Sequence, residues 1–396
     1  MKLSVLKEVH PNEARVALTP DLVKKYQALG FDVCIQSGAG MLANFEDKAY
    51  KDQGAVIKKS VKEVVSNADI ILMVQPPKEV KAYEKLIQDF PEKAFFIAMQ
   101  NPFDHQERFK LMHKKKISTF ALEWMPRITR AQNMDVLSSQ TNLAGYYAVL
   151  LAASEYKRSL PLMMTAAGTV APAKVMVMGA GVAGLQAIAT AKRMGAVVSA
   201  TDVRQVAKEQ VESLGGKFVT VESDEIAQNE TKGGYAKETS KAFQKAQEKL
   251  IKEVIKKQDI VICTALIPGK PAPKLITKEM VSTMPKGSVI IDMAIERGGN
   301  CELSKYNACV ESEGVKIIAY DYLTSRLSDV ASQLYAKNCF NFVTYLVDEK
   351  QKKIKIDTKD EIISGTLITH QGKWISSHFV TPKVTQKKTA KKDLKV

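Results

Sequence analysis

Cysteine and histidine are scarce, five of each in 396 residues. Cys34, Cys263, Cys301, Cys309 and Cys339 are scattered and none forms a CxxC pair, which argues against a disulfide framework or a zinc site and fits a reducing cytoplasm. No HxxxH or HExxH occurs, so no metal centre is expected. Long hydrophobic runs are also missing. The longest apolar stretch, residues 173–191, contains Lys174 and three glycines, short of the roughly 20 apolar residues of a membrane span. The opening "MKLSVLKEVH" is too short and too charged for a signal peptide. The polypeptide is therefore not expected to cross a membrane. Acidic residues are the minority charge, and the net charge is +15. Part of that excess lies in residues 381–396, "TPKVTQKKTAKKDLKV", with six lysines against one aspartate. Such a tail reads as disordered and solvated, with anionic lipid or an acidic partner as the sharper reading. Nothing interleaves aromatic with basic residues in the manner of a nucleic-acid module, so no nucleic acid is expected.

What is there is alternation. "KLSVLKE", "FDVCIQ", "ADIILMVQ", "KAFFIAMQ" and "ISTFALE" are strand-like, with helical patterns such as "TPDLVKKYQALG" and "KEVKAYEKLIQDF" between them. In the first of these helices Thr19 is placed as N-cap, Pro20 as first helical residue and Gly30 as stop. Strands alternating with helices predict parallel sheets covered on both faces. Residues 126–145 break the rhythm as a polar stretch, and a helix follows in "YYAVLLAASEY". The rhythm then resumes through "DIVICTALI" and "GSVIIDMAI". The fold expected is α/β, with two Rossmann-like doubly wound parallel-sheet domains. Residues 221–240 carry charge, glycine and hydroxyls without an apolar period, which reads as a disordered loop or a mobile lid. "SDVASQLYAKNCFNFVTYLV" is an apolar helix expected to return to the first unit, and "KIKIDTKDEIISGTLI" reads as a hairpin.

"KVMVMGAGVAGLQAIATAKRMG" places Gly179, Gly181 and Gly184 as GxGxxG between a strand and a helix. The three glycines suit a tight turn, a close backbone approach to a pyrophosphate, and tight helix–strand packing. The pyrophosphate would meet the free N–H groups of a helix N-terminus. Asp202 closes the next strand 18 residues after Gly184, near the expected ~20 for a ribose-binding acid. A carboxylate there accepts from a 2′-hydroxyl and repels a 2′-phosphate, so NAD(H) is expected over NADP(H). Arg204, two residues on, could attract a phosphate; it is read as stacking or bonding near the adenosine.

"RAQNMDVLSSQTNLAGY", "MMTAAGTVAPAKVMVMGAGVAGLQAIATAKRMGAVVSATDVR", "GGYAKE" and "ALIPGKPAPKLIT" resemble the NAD(H)-binding alpha subunits of proton-translocating NAD(P) transhydrogenases. The N-terminal "KEVHPNEARVALTP" is shared in style with the related alanine dehydrogenases. The resemblance extends to about residue 380. It implies one domain from residues 1–126 plus 328–380, an NAD(H)-binding domain at 127–327 with its mobile loop at 221–240, and a homodimer. It further implies reversible hydride transfer between NADH and NADP⁺. The NADP(H) is held by a separate beta subunit of a membrane-embedded partner, and transfer is coupled to proton translocation. The chain stops before any membrane helix, as in split forms of the family. It would thus sit peripherally on the cytoplasmic face of the inner membrane through its partners. By resemblance, Arg127, Gln132, Asp135 and Ser138 surround the nicotinamide and its ribose. Tyr235 on the mobile loop closes over NAD(H), and Gly234 beside it makes a close backbone approach. Gln132, Asp135, Ser138 and Tyr235 are the residues assigned to the reacting end. Val182, Asp202, Val203 and Arg204 match the dinucleotide fingerprint, and Gln247, Ala265 and Leu266 line the nucleotide.

Each has a bland reading. Gln132, Asp135 and Ser138 could cap helices or satisfy an interdomain loop. Arg127 could be a surface ion pair, Tyr235 an inert loop aromatic, and His10 a satisfied loop histidine. The alternative function is a self-contained amino-acid dehydrogenase, which needs a carboxylate anchor and a general acid/base. Alanine dehydrogenases have a Lys in the strand resembling "ILMVQPP" and a His in that resembling "FFIAMQNP"; here those positions hold Gln75 and Gln100. Arg15 remains, which supports binding and not proton transfer. Transhydrogenation needs no proton relay at this site.

Overall fold

A computed structural model describes residues 1–221, 240–267, 269–348, 350–376 and 379. Gly234, Tyr235, most of the 221–240 loop and the tail at 381–396 lie outside the described residues.

The strands are β1 (Lys2–Val5), β2 (Asp32–Gln36), β3 (Val56–Lys58), β4 (Ile70–Leu72), β5 (Phe95–Ala98) and β6 (Ser118–Ala121). A short hairpin follows, β7 (Met163–Thr165) with β8 (Gly168–Val170). Then come β9 (Lys174–Met178), β10 (Val197–Thr201), β11 (Lys217–Phe218), β12 (Ile260–Cys263), β13 (Val289–Asp292), β14 (Ala308–Ser312) and β15 (Val315–Ala319). The last four are β16 (Val347–Asp348), β17 (Lys353–Ile354), β18 (Leu367–His370) and β19 (Lys373–Trp374). The α-helices are α1 (Pro20–Ala28), α2 (Asp47–Asp52), α3 (Val61–Val65), α4 (Val80–Gln88), α5 (Arg108–Lys114) and α6 (Val136–Glu155). They continue with α7 (Val182–Arg193), α8 (Val206–Ser213), α9 (Lys241–Ile255), α10 (Lys278–Ser282), α11 (Ser328–Leu346) and α12 (Glu361–Thr366).

Two sheets result, and they share one plan. The first runs β3-β2-β1-β4-β5-β6 in parallel, with β18 and β19 added antiparallel at one edge. The second runs β11-β10-β9-β12-β13-β15 in parallel, with β14 antiparallel at its edge. Both are doubly wound, as expected, and each sheet has its switch point beside its first strand. Ligands bind at such a point, outside the carboxyl ends of the strands. The central strands β4, β12 and β13 are buried throughout, the mark of parallel strands covered on both faces. One core joins Leu3, Val5, Leu72 and Ile97 to Tyr335, Phe342 and Val343 of α11, so the late apolar helix returns to the first sheet. The second core gathers Val175, Val177, Ile260 and Ile262 around α6 and α7.

α1 begins at Pro20 with Thr19 in the N-cap position, and Gly30 adopts φ +90° beyond its end. The Thr19 hydroxyl is buried without a partner, so the cap is one of backbone conformation alone. The hairpin expected over residues 353–368 does not form. Asp360 accepts from the N–H groups of Ile362 and Ile363 and starts α12 there, while β17 pairs with β16 and β18 with β6. The polar stretch at 126–145 is also less of a loop than expected. A 3-10 turn occupies Thr129–Met134, and α6 starts at Val136.

α6 crosses α7 at Gly145, where an added Cβ would lie 2.1 Å from the Ala183 carbonyl oxygen. Gly145→Ala should therefore destabilise the fold by about 2–3 kcal/mol, since rigid backbone must move. Denaturant unfolding checks this; a wild-type midpoint would show that the helices separate freely.

Candidate functional site

The glycine turn leaves β9 and enters α7. Gly179 has φ +100°, and a Cβ there would meet Thr264 and Ala265 at 2.8 and 3.0 Å. At Gly184 a Cβ would sit 1.9 Å from the Gly179 carbonyl oxygen, so helix and turn touch backbone to backbone. Gly181 differs: nothing lies within 4 Å of its Cβ position. The turn is thus tight at its first and third glycines and open at its second, which is what a pyrophosphate approach requires. Gly181 is the N-cap of α7 and offers no side chain to the helix's first N–H groups. Val182 stands exposed at the first helical position.

Polar side chains fasten this turn to neighbouring strand ends. The Gly179 N–H donates to Thr201 O (2.8 Å), and the Thr264 hydroxyl donates to Gly179 O (2.9 Å). The Ala180 N–H donates to Asp202 Oδ2 at 2.7 Å. Asp202 also pairs with Arg204, which lies with Val203 at the carboxyl end of β10. Gln247 on α9 donates to the Thr201 hydroxyl (2.7 Å) and accepts from Val221 N–H (3.0 Å), so it braces the chain on the near side of the 222–239 segment. Ala265 and Leu266 follow β12, with Leu266 exposed.

Sequence reasoning missed the residue that shapes this last loop. Asn300, fully buried, accepts from Ala265 N–H at 3.1 Å and donates to the carbonyls of Ala265 (2.9 Å) and Pro273 (2.8 Å). The signal was the pair Gly298-Gly299, both at positive φ, immediately before it. A Cβ at Gly299 would lie 2.6 Å from an Asp292 oxygen, so the tight turn that aims Asn300 needs glycine.

Arg127, Gln132, Asp135 and Ser138 form a second group around the start of α6. Asp135 is the N-cap of α6, accepting from Ser138 N–H (3.0 Å) and Ser138 Oγ–H (2.5 Å). The capping role is thus real for both, and the Ser138 oxygen keeps acceptor capacity. Gln132 and Arg127 are exposed. The turn bearing Gln132 is held from α11, where Asn338 and Asn341 donate to Asn133 O at 2.8 and 2.9 Å. No hydrogen bond among the described residues joins this group to the glycine turn; they are linked through the α6–α7 crossing, where Asn142 donates to Gln186.

The carboxyl ends of the first sheet supply the facing wall. Arg15 is buried, forked onto Glu13 (2.7 and 2.6 Å) and bonded to Gln140 (2.8 Å). Gln75 accepts from the Tyr322 hydroxyl (3.2 Å), and His10 stacks on the Tyr322 ring. Gln100 is buried with neither amide atom bonded. Glu8 accepts the N–H groups of Val74 and Gln75, and Glu123 those of Gln100 and Asn101. Burial pushes these carboxyls up to about 8 and about 7. Two nitrogen bases stand nearby. Lys78 is ion-paired to Glu296 (2.9 Å) over the Tyr322 ring, and this pairing raises its pKa against the cost of burial. Burial, with Arg108, pulls His105 down to about 4, leaving it neutral at pH 7. Neither has the poise of a general acid/base near neutrality. Among the described residues no group of three or more His, Cys, Asp and Glu could hold a metal, and no helix is long and apolar enough to cross a membrane.

The family models for "Alanine dehydrogenase/PNT, N-terminal domain" and "Alanine dehydrogenase/PNT, C-terminal domain" match residues 4–144 and 148–377. The chain is 49% identical over 372 residues to the first part of an NAD(P) transhydrogenase subunit alpha from Rhodospirillum rubrum, covering 94% of this chain and 97% of that one. It belongs to the NAD(P) transhydrogenase alpha-subunit family. A transhydrogenase crystal structure from Sinorhizobium meliloti superposes with a TM-score of 0.84 at 46% identity, covering 95% of this chain and all of that one. An L-alanine dehydrogenase structure shares the fold at 21% identity and a TM-score of 0.78, over 96% and 98% of the two chains.

The glycine geometry separates fold from binding. Gly181→Ala should change stability by about 1 kcal/mol or less, since its φ of −76° suits alanine. It should weaken dinucleotide binding about tenfold or more by filling the approach. Gly184→Ala should destabilise the domain itself by about 3 kcal/mol. Denaturation and calorimetry on both variants test the pair; wild-type affinity in Gly181→Ala would place the pyrophosphate elsewhere.

Proposed function

We propose that this chain is the NAD(H)-binding component of a proton-translocating NAD(P) transhydrogenase. The observation that carries the reading is the glycine turn, open only at Gly181 and fastened by Ala180 N–H to the carboxylate of Asp202. The site fits NAD(H): free helix N–H groups for the pyrophosphate, a carboxylate at the ribose, and Ala265 and Leu266 along the nucleotide. When bound, two nicotinamides supply the redox chemistry: a hydride leaves C4 of NADH and adds to C4 of NADP⁺, with no net proton exchange. The chain's own task is to orient its dinucleotide and exclude water. Gln132, Asp135, Ser138 and Arg127 would serve the nicotinamide end, and Tyr235 and Gly234 the cover. NADP(H) would lie on the beta subunit of a membrane-embedded partner, and this chain would sit peripherally on the cytoplasmic face of the inner membrane. We take it as a homodimer, with residues 1–126 plus 328–380 as one domain and 127–327 as the other.

The second reading, an alanine dehydrogenase-like enzyme, draws on the shared fold and on Arg15. Against it, Glu13 and Gln140 already bond the Arg15 guanidinium, and Gln75 and Gln100 cannot trade protons near pH 7. Pyruvate, ammonia and NADH should give no turnover above blank. A robust rate would overturn the transhydrogenase reading.

Gln132 offers an uncharged amide that can bridge polar groups of two nucleotides. Gln132→Asn shortens its reach. A displacement of about 1 Å costs on the order of 100-fold in rate, so single-turnover hydride transfer with the NADP(H)-binding partner should fall about that much. NADH affinity should hold within about threefold, because the glycine turn and the N-terminus of α7 anchor the pyrophosphate half. Parental transfer would remove Gln132 from positioning; a joint fall of transfer and binding would make it an ordinary contact.

A further inference from the structure

The carboxylate of Asp202 is already full. A carboxylate offers about four lone-pair sites. Oδ2 accepts from Ala180 N–H at 2.7 Å and from Arg204 Nη2–H at 2.9 Å. Oδ1 accepts from the Arg204 backbone N–H at 3.0 Å and from its Nε–H at 2.9 Å. Two of these donors are main-chain groups fixed by the turn and the strand end. The other two belong to one guanidinium fork, in an ion pair whose side chains are 14% and 8% exposed. A vicinal ribose diol read by this carboxylate needs acceptor sites of its own. The sites that a side-chain rotation can vacate are the two under the Arg204 fork.

We infer that Arg204 is an internal competitor for the ribose subsite: its guanidinium holds the two Asp202 positions that the 2′,3′-diol of the adenosine ribose takes, and it swings off when the dinucleotide binds. This rests on the NAD(H) reading above and adds a specificity-determining residue to it. Two consequences follow from the chemistry. The diol exchanges its hydrogen bonds for existing charge-assisted ones, so its net contribution to affinity is small. The displaced fork also stays within side-chain reach of a 2′-phosphate, the group arginine pairs with best. Arg204 therefore cuts what the adenosine 2′-hydroxyl contributes to NADH binding and strengthens NADPH binding, narrowing the preference that Asp202 alone would set.

The test is a thermodynamic cycle. Wild-type protein, Arg204→Met and Arg204→Lys are titrated at one salt concentration with NADH, with its analogue lacking the adenosine 2′-hydroxyl, and with NADPH. Removing a cation weakens all three anions together, and this cancels in ratios between NADH and its analogue. In the wild type the deoxy analogue should bind within about threefold of NADH, because part of the hydroxyl's gain goes into displacing the fork. In Arg204→Met the analogue should bind about tenfold more weakly than NADH, and the preference for NADH over NADPH should widen by about tenfold, one well-made hydrogen bond to a charged group. Arg204→Lys should fall between, since an ammonium cannot span both oxygens. A hydroxyl contribution equal in all three proteins, or larger in the wild type, overturns the inference. A second readout needs no variant: the Arg204 Nε–H resonance should be protected from exchange in the free protein and lose protection at NADH saturation. Persistent protection also overturns it. If the wild type binds neither dinucleotide, the NAD(H) reading itself falls; if it binds NADH and the ratios stay put, the Arg204 inference alone falls.

Discussion

The carboxyl edge of the second sheet hangs from one backbone approach. α7 lies against the turn leaving β9 so closely that a single methyl at position 184 would overlap the Gly179 carbonyl. That approach fixes where the first N–H groups of α7 point. It sets the Ala180 N–H on Asp202, and it brings the turn under Thr264 at the end of β12. Three neighbouring strands, β10, β9 and β12, are thereby bound at their carboxyl ends, at the point where the winding reverses. α6 repeats the constraint on the outer side, crossing α7 through Gly145. A dinucleotide site made this way is set by main chain, and main chain is the least adjustable part of a folded protein.

Around that rigid centre, neutral side chains do the bracing. Asn300 holds the loop carrying Ala265, Gln247 holds the chain leaving β11, and Asn338 holds the turn carrying Gln132. An amide can donate and accept at once, so one buried residue satisfies several backbone groups without bringing a charge beside the site. Some charged pairs are partly exposed, as in Lys78 with Glu296 and Arg297 with Asp104, while Arg15 with Glu13 is buried and Arg204 with Asp202 largely so. Exposed or half-exposed pairs add little to stability.

Legibility in the sequence followed the range of the interactions. The glycine turn, its strand and helix, and Asp202 lie within 30 residues, and each link is local or between adjacent strands, so pattern alone sufficed. The start of α6 was misjudged because "DVLSSQTN" is rich in residues that compete with helical hydrogen bonds. The Asp135 cap and the packing of α6 on α7 override that preference. The 353–368 segment was misjudged for a related reason: alternating apolar residues suit a strand, and the Asp360 cap decides for a helix. Asn300 and Asn338 escaped entirely, since their partners lie 35 and 205 residues away. Gly298-Gly299 marks a tight turn ahead of Asn300, but neither asparagine's sequence neighbours say which distant backbone groups it will hold.

The same distinction explains why function is more legible here than mechanism. A dehydrogenase that forms or breaks an imine must place a titrating base at the reacting carbon, and such a base is visible as a residue type. Where only a hydride moves, the requirement is geometric: two rings in register, water kept out, and no charge that would favour one oxidation state of the ring. Under the proposed function that requirement would fall to residues that are individually ordinary, among them the glutamine at 132 on a turn braced from α11. On the wall formed by the first sheet, Lys78 is held protonated by Glu296, and His105 is kept neutral by burial. Each is thereby fixed in a single protonation state near pH 7. The groups on this wall that stay poised near neutrality are the buried carboxyls of Glu8 and Glu123, and both are turned onto backbone N–H groups, of Val74 and Gln75 and of Gln100 and Asn101.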